Sequence, residues 1–255
     1  MNALDGKVAL ITGGLGAIGG ATADLFAAEG ARIAIADVEG PAEPAAMSKS
    51  LFVFGADLAE SGATRKVVPM ALKRYGRIDI LVNCAGIGAD VPFLDTDEAL
   101  FERMMRIHAG AALALCQDAA RDMAKRKSGA IVNVASISGL LGSQGRLAYG
   151  AAKAALMQMT RGMAVELAPV GVRVNAVAPG PVEMPKAKRV HSRADRKAYT
   201  ERTPLGRYAT PEEIARVNLF LASAASSCVT GQTLIADGGF SIAGLMAEAP
   251  AKRRR

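Results

Sequence analysis

The chain has 255 residues, about half of them apolar, and a formal net charge of +7. That length fits one large core in a single α/β domain better than two small ones, and no apolar run approaches the roughly 18 residues that span a bilayer. The charge sits in two appendages, a basic segment over 183–203 and the KRRR tail at 252–255, each with a net +4, so the rest of the chain is near neutral.

This distribution argues against a nucleic-acid face, which spreads basic residues over a folded surface and interleaves aromatics. The uncharged stretch Val8 to Ala23 follows Asp5 and contains five glycines, a composition that suits a strand, a turn and a helix start better than a signal peptide. Cys84, Cys116 and Cys228 are far apart, without metal-like or redox-like spacing, and are expected to be reduced thiols that pack, as in a cytoplasmic protein. No metal site is expected, and no membrane or nucleic-acid partner.

Seven short β-branched or aliphatic runs are expected as strands: 7–12, 32–37, 51–56, 77–83, 129–136, 172–179 and 233–237. Most are continuously apolar, as strands covered on both faces are. Between them lie helical patterns over 18–29, 63–75, 97–125, 149–167 and 211–223. This alternation predicts an α/β fold: a doubly wound, Rossmann-type parallel sheet of about seven strands with helices on both faces. Its ligand crevice lies at the carboxyl ends of the strands. Residues 1–245 are read as one domain, 246–255 as a disordered basic tail, and 181–210, which lacks strong periodicity, as a substrate loop.

After the first strand comes TGGLGAIGG, residues 12–20. Glycines there let the backbone turn sharply and approach a pyrophosphate, whose charge is met by the free N–H groups of the next helix. The second strand ends at Asp37, where a carboxylate can accept hydrogen bonds from both ribose hydroxyls of an adenosine and would repel a 2′-phosphate. NAD is therefore the expected cofactor, ahead of NADP.

These motifs, together with ADL at 56–58, NCAG at 83–86, Ser136, YGAAK at 149–153, APGPV at 178–182 and GQTLIADGG at 231–239, resemble the one-domain branch of the short-chain dehydrogenase/reductases. The resemblance covers Asp5 to about Phe240. It implies cofactor contacts at Thr12, Gly13, Leu15, Gly16, Ile18, Gly19, Asp37, Asp57, Leu58, Asn83, Ala85, Gly86, Tyr149, Lys153, Pro179, Gly180 and Val182. A helix N-cap is the plainer reading of Asp57. Tyr149 is implied as general acid/base, Lys153 as the cation that tunes it and binds the nicotinamide ribose, and Ser136 as donor to the substrate oxygen. Helical spacing of four puts Tyr149 and Lys153 on one face. A homotetramer is implied as well, paired through the long helices and the C-terminal strand region.

The chain departs from the family pattern at two positions of interest. His108 stands where an asparagine usually helps hold a water chain to the lysine; a histidine that titrates near neutrality can replace it in the relay or have no proton role. Met184 stands where a threonine is common. The expected activity is hydride transfer between NAD and a secondary alcohol or ketone, with an anionic substrate suggested by the basic loop. The alternatives are a 3-oxoacyl-carrier-protein reductase, usually NADPH-dependent in the family, and a catalytically impaired Rossmann-fold binding protein.

Overall fold

The computed structural model describes residues 2–60, 62–184 and 191–244. Eight strands form one sheet: β1 (Val8–Thr12), β2 (Arg32–Asp37), β3 (Ala45–Ala46), β4 (Leu51–Gly55), β5 (Ile80–Asn83), β6 (Gly129–Val134), β7 (Val172–Pro179) and β8 (Thr233–Ala236), in the spatial order β3-β4-β2-β1-β5-β6-β7-β8. Seven of them are parallel and match the seven expected runs. The eighth, β3, is a two-residue antiparallel edge on β4, too short to leave a pattern in the sequence.

The helices are α1 (Ala17–Ala28), α2 (Thr64–Tyr75), α3 (Glu98–Met105), α4 (Ala111–Lys125), α5 (Leu147–Leu167), α6 (Arg193–Arg202) and α7 (Pro211–Ala222). Phe26 of α1 and Ile214 and Leu221 of α7 pack on Ile11, Ile33, Val82 and Val177 from one side of the sheet. Val67 of α2, Leu115 and Met123 of α4 and Ala164 of α5 pack on Leu10, Phe54, Leu81 and Ile131 from the other. With both faces covered, every residue of β1 is buried, which is why its sequence is apolar without alternation.

Local signals set the helix ends. Asp97 caps α3 through the Leu100 N–H at 2.7 Å, and Thr210 and Glu213 form a reciprocal capping box at α7 with Pro211 in its first turn. Gly76 closes α2 in the left-handed region at φ 75°.

Two features correct the sequence reading. The helix expected over 97–125 is broken by one π turn, Arg106–Gly110, that bulges His108 inward between α3 and α4. The stretch read as loop over 181–210 contains α6, whose N-terminus carries a capping box between Ser192 and Asp195. Residues 185–190 of that loop and the basic tail lie outside the described residues. Among the described residues no helix is long and apolar enough to cross a membrane.

Candidate active site

The chain order of the sheet reverses between β1 and β5, and the glycine turn leaves β1 at that point. Thr12 holds the two strand ends together, its hydroxyl oxygen accepting from the N–H groups of Cys84 and Ala85, both at 3.2 Å. Gly13 has φ 68°, and a Cβ on it would lie 2.7 Å from the Ala85 Cα. A Cβ on Gly19 would collide with the Gly13 carbonyl oxygen, so α1 starts hard against the turn. Gly16 caps α1 without any side-chain hydrogen bond, which leaves the first N–H groups of the helix available. A bare helix start beside backbone that no side chain obstructs fits a dinucleotide diphosphate.

Asp37 ends β2 one strand away. Its carboxylate accepts from the Leu15 N–H at 2.9 Å and the Glu39 N–H at 3.0 Å, so it is fixed at the rim of the turn. Asp57 accepts from the Ala59 N–H at 2.8 Å in a local turn; it is not the cap of α2, whose N-cap is Ala63. Leu58 is buried. The Asn83 side chain turns into the core, donating to Asn133 at 2.8 Å and approaching the Cys116 sulfur at 3.2 Å, so its carboxamide ties β5 to β6. Ala85 and Gly86 follow it as backbone at the crevice edge.

Ser136 follows β6 and Tyr149 and Lys153 lie in the first two turns of α5. These two pieces touch: a Cβ on Gly139 would lie 2.8 Å from the Ala154 N, and one on Gly150 2.6 Å from the Ser138 carbonyl oxygen. The Ser136 hydroxyl oxygen accepts from the Ser138 N–H at 3.2 Å, which leaves its own proton free for a ligand. Lys153 is buried, its ammonium donates to the Val134 carbonyl at 2.7 Å, and it lies 5.7 Å from the centre of the Tyr149 ring.

His108 completes the group. Its ring meets Tyr149 edge-on, with centres 5.2 Å apart, and Nε2 is 2.8 Å from the Ile87 carbonyl oxygen. A carbonyl can only accept, so the neutral ring carries its proton on Nε2 and offers a lone pair at Nδ1. That Nδ1 is buried and has no hydrogen-bond partner among the described residues. A cavity of about 10 Å³, room for about one water, is lined by His108, Lys153, Asn83 and Thr12. Burial foremost, with the Lys153 charge behind it, pushes His108 down to about 3. The expectation of a histidine titrating near neutrality is thus corrected: this ring stays neutral across that range.

The far wall comes from β7. A Cβ on Gly180 would lie 2.7 Å from the Asp237 Cα, and Val182 is buried, with a single parallel bridge to Ala209. Pro179 closes the strand. Met184 packs on the core. Three described basic residues of the following segment are engaged: Arg196 pairs with Glu183, Lys197 lies 3.6 Å from Glu201, and Arg202 covers the Phe240 ring; Arg193 is exposed. Burial raises the Cys84 thiol to about 11 and Cys116 to about 12, so both pack and neither is a nucleophile; Cys228 is exposed.

Residues 14–241 match the family model described as enoyl-(acyl carrier protein) reductase. The chain belongs to the short-chain dehydrogenase/reductase family. A 3-oxoacyl-[acyl-carrier-protein] reductase of Thermotoga maritima is 38% identical over 245 residues, 94% of this chain and 99% of that protein. A cis-4-hydroxycyclohexanecarboxylate dehydrogenase of Sinomonas cyclohexanicum is 38% identical over 242 residues, 92% of this chain and 96% of that protein. A solved gluconate 5-dehydrogenase of Burkholderia cenocepacia, in complex with NADP and tartrate, superposes with a TM-score of 0.85 at 32% identity, covering 94% of this chain and 97% of that one. As a short-chain dehydrogenase/reductase, the chain is an oxidoreductase of the NAD(P)-dependent kind.

One residue at this short-chain dehydrogenase/reductase centre escaped the sequence reading: Arg146, the N-cap of α5, whose guanidinium carbon is 5.5 Å from the Tyr149 ring centre. Its position three residues before Tyr149 was the available signal.

Burial of His108 has a consequence for stability. The unfolded chain takes up a proton at this residue near pH 6.5, whereas the folded ring refuses it until about pH 3, so acidification through that window favours unfolding. His108→Asn should flatten the fall in Tm between pH 6.5 and pH 4 relative to the wild type. Parallel curves in scanning calorimetry would show that the ring titrates normally.

Proposed function

We propose that this chain transfers hydride reversibly between a nicotinamide dinucleotide and a ketone or its secondary alcohol, with a 3-oxoacyl group as the leading substrate skeleton. The convergence of Ser136, Tyr149 and Lys153 at the carboxyl edge of the sheet carries the reaction. Of the two enzymatic readings drawn from the sequence, the names of relatives from Thermotoga, Chlamydia and Aquifex support the 3-oxoacyl one better than an unspecified alcohol. Two other relatives, named for hydroxycyclohexanecarboxylate and gluconate, keep small hydroxylated acids as the second. The assembled proton-transfer group argues against a binding protein without turnover.

In this reading the glycine turn with Leu15 and Ile18, the free start of α1, Asp37, Asp57, Leu58, the backbone of 83–86 and the 179–182 segment hold the dinucleotide, which supplies the hydride when bound. Ser136 donates its free proton to the substrate oxygen and fixes its position. Tyr149 gives a proton to that oxygen in reduction and takes it back in oxidation. The Lys153 ammonium lies beside the phenol while charge moves through it. A water in the small cavity would accept from Lys153 and donate to the Nδ1 of His108, so that the neutral ring holds the water beside the ammonium and takes no proton itself. Cofactor choice rests on Asp37 alone, because the Burkholderia relative was solved with NADP and lends no support to NAD. A carboxylate held at that rim opposes a 2′-phosphate, and we read the chain as using NAD(H).

We keep the whole described chain as one functional unit, with 191–210 covering the substrate. The homotetramer remains our reading of its assembly. Apolar residues stand out where the resemblance places contacts: Val165 on α5, Leu113 on α4, and Ile235 on the open edge of β8. Unpaired thiols and the lack of a spanning helix among the described residues suit a cytoplasmic enzyme.

Tyr149→Phe should lower the rate of NADH oxidation with a 3-oxoacyl thioester or a small ketone about 10²- to 10⁴-fold while NADH still binds by fluorescence. A variant as fast as the parent would remove Tyr149 from the chemistry. The wild type should prefer NADH to NADPH in kcat/KM, and Asp37→Asn, which keeps the shape and loses the charge, should narrow that preference; a parent that prefers NADPH contradicts the assignment. Light scattering should give four times the 26.3 kDa of one chain, and a monomeric mass would rule the assembly out.

A further inference from the structure

Arg146 has no part in the reading above. Its side chain is 20% exposed and its Nε lies 2.6 Å from a carboxylate oxygen of Asp90, which is 49% exposed. Three loops reach it. Gly88, after β5, would place a Cβ 3.7 Å from its Nη1; Arg146 itself follows β6; and His191, after β7, is close enough to feel the Arg146 and Asp90 charges in opposite directions. Those are the loops that close the crevice around Tyr149, whose ring the guanidinium overlies.

A guanidinium offers its donors as a planar fork, and the two Nη groups together grip a carboxylate end-on. Here Asp90 engages Nε, and neither Nη makes a hydrogen bond among the described residues. The ion pair with a half-exposed aspartate adds little to stability. It does hold the guanidinium in one place with its end-on pair open. Asp90 opposes a second carboxylate, and its access to water screens that opposition. In the segment 183–203, where the sequence suggested an anion site, Arg196, Lys197 and Arg202 are engaged with Glu183, Glu201 and Phe240. Among the described residues the cations over the Tyr149 ring are Lys153, at 5.7 Å from its centre and anchored on Val134, and Arg146, at 5.5 Å.

We propose that Arg146 receives a carboxylate of the substrate, so that this chain acts on free hydroxy and oxo acids in preference to thioesters or neutral alcohols. The proposal rests on the reading of Tyr149 as the reacting residue, and on the substrate it departs from the 3-oxoacyl ranking above by putting the second class, small hydroxylated acids, first. Arg146 sets specificity; it takes no proton.

The test compares 3-hydroxybutanoate and cis-4-hydroxycyclohexanecarboxylate with their methyl esters, and with the N-acetylcysteamine thioester of the former, on the wild type, Arg146→Gln and Arg146→Lys. The wild type should favour each acid over its ester, and Arg146→Gln should lower kcat/KM for the acids about 10- to 100-fold while leaving the esters within about 3-fold. Arg146→Lys, which keeps charge without the fork, should fall between. Because the guanidinium also lies over Tyr149, a general effect on the phenol would slow acids and esters alike, and that result overturns the proposal. So does a wild type that takes esters or the thioester as readily as the acids. Calorimetric titration of the acids into NAD-loaded Tyr149→Phe protein, with and without Arg146→Gln, reads binding without turnover. Weakening of about 10-fold upholds Arg146, and an unchanged Kd or no binding overturns it. If acid binding depends on Arg146 while the parent oxidises nothing, the reaction reading has failed and the carboxylate site has not.

Discussion

A buried ammonium holds this site together. Lys153 is buried and is anchored on the Val134 carbonyl at 2.7 Å. A charge taken out of water is costly unless dipoles replace its hydration, so α5 must sit where the last carbonyls of β6 point. That requirement explains the small residues along the contact. Gly139 and Gly150 let the 137–139 turn and α5 approach to backbone distance. Ser136, at the cap of that turn, and Tyr149, in the first turn of α5, are thereby held against one another.

The same crowding accounts for the other departures around the centre. The π turn at 106–110 carries His108 into the space beside Lys153, and Gly86 gives it room, since a Cβ there would strike the imidazole ring. An ammonium and an imidazole confined together cannot both carry charge, and burial decides which yields. Lys153 has a carbonyl to solvate it; His108 has Ile87 on one nitrogen and open space at the other. The histidine therefore becomes a fixed dipole with a lone pair turned toward whatever small molecule the cavity admits.

Much of this was legible in the sequence because it depends on local chemistry. Continuous apolar runs gave the parallel strands, glycines marked the turn whose backbone nothing may obstruct, and a four-residue spacing paired Tyr149 with Lys153. The illegible parts depend on who meets whom in three dimensions. No pattern distinguishes an asparagine that faces the crevice from Asn83, whose amide joins Asn133 and, through it, Thr160 in a buried chain across the sheet and onto α5. The SRAD signal at 192–195 did announce α6, but it was hidden by the charges around it. Those charges suggest an anion site in the sequence, and three of the described cations there are held by glutamates and an aromatic ring. Arg146 belongs to no motif, and only its neighbours in space, Asp90 and Tyr149, bring it to the site.

Asp37 shows how cofactor choice and turn geometry are bound to one group. Its two oxygens already hold the Leu15 and Glu39 N–H groups, so each ribose hydroxyl that approaches shares an acceptor fixed by the backbone. A carboxylate oxygen has capacity for more than one donor, and the shared arrangement loses nothing by adding them. A phosphate offers no donor, brings its own charge, and meets a carboxylate that cannot swing away without freeing two N–H groups. In the NAD(H) reading proposed above, selectivity would lie in the rigidity of the glycine turn as much as in the charge of its neighbour. The proposed carboxylate site would extend the same logic across the crevice: Asp90 pairs with the Nε of Arg146, and the end-on pair of the guanidinium would be left for a ligand.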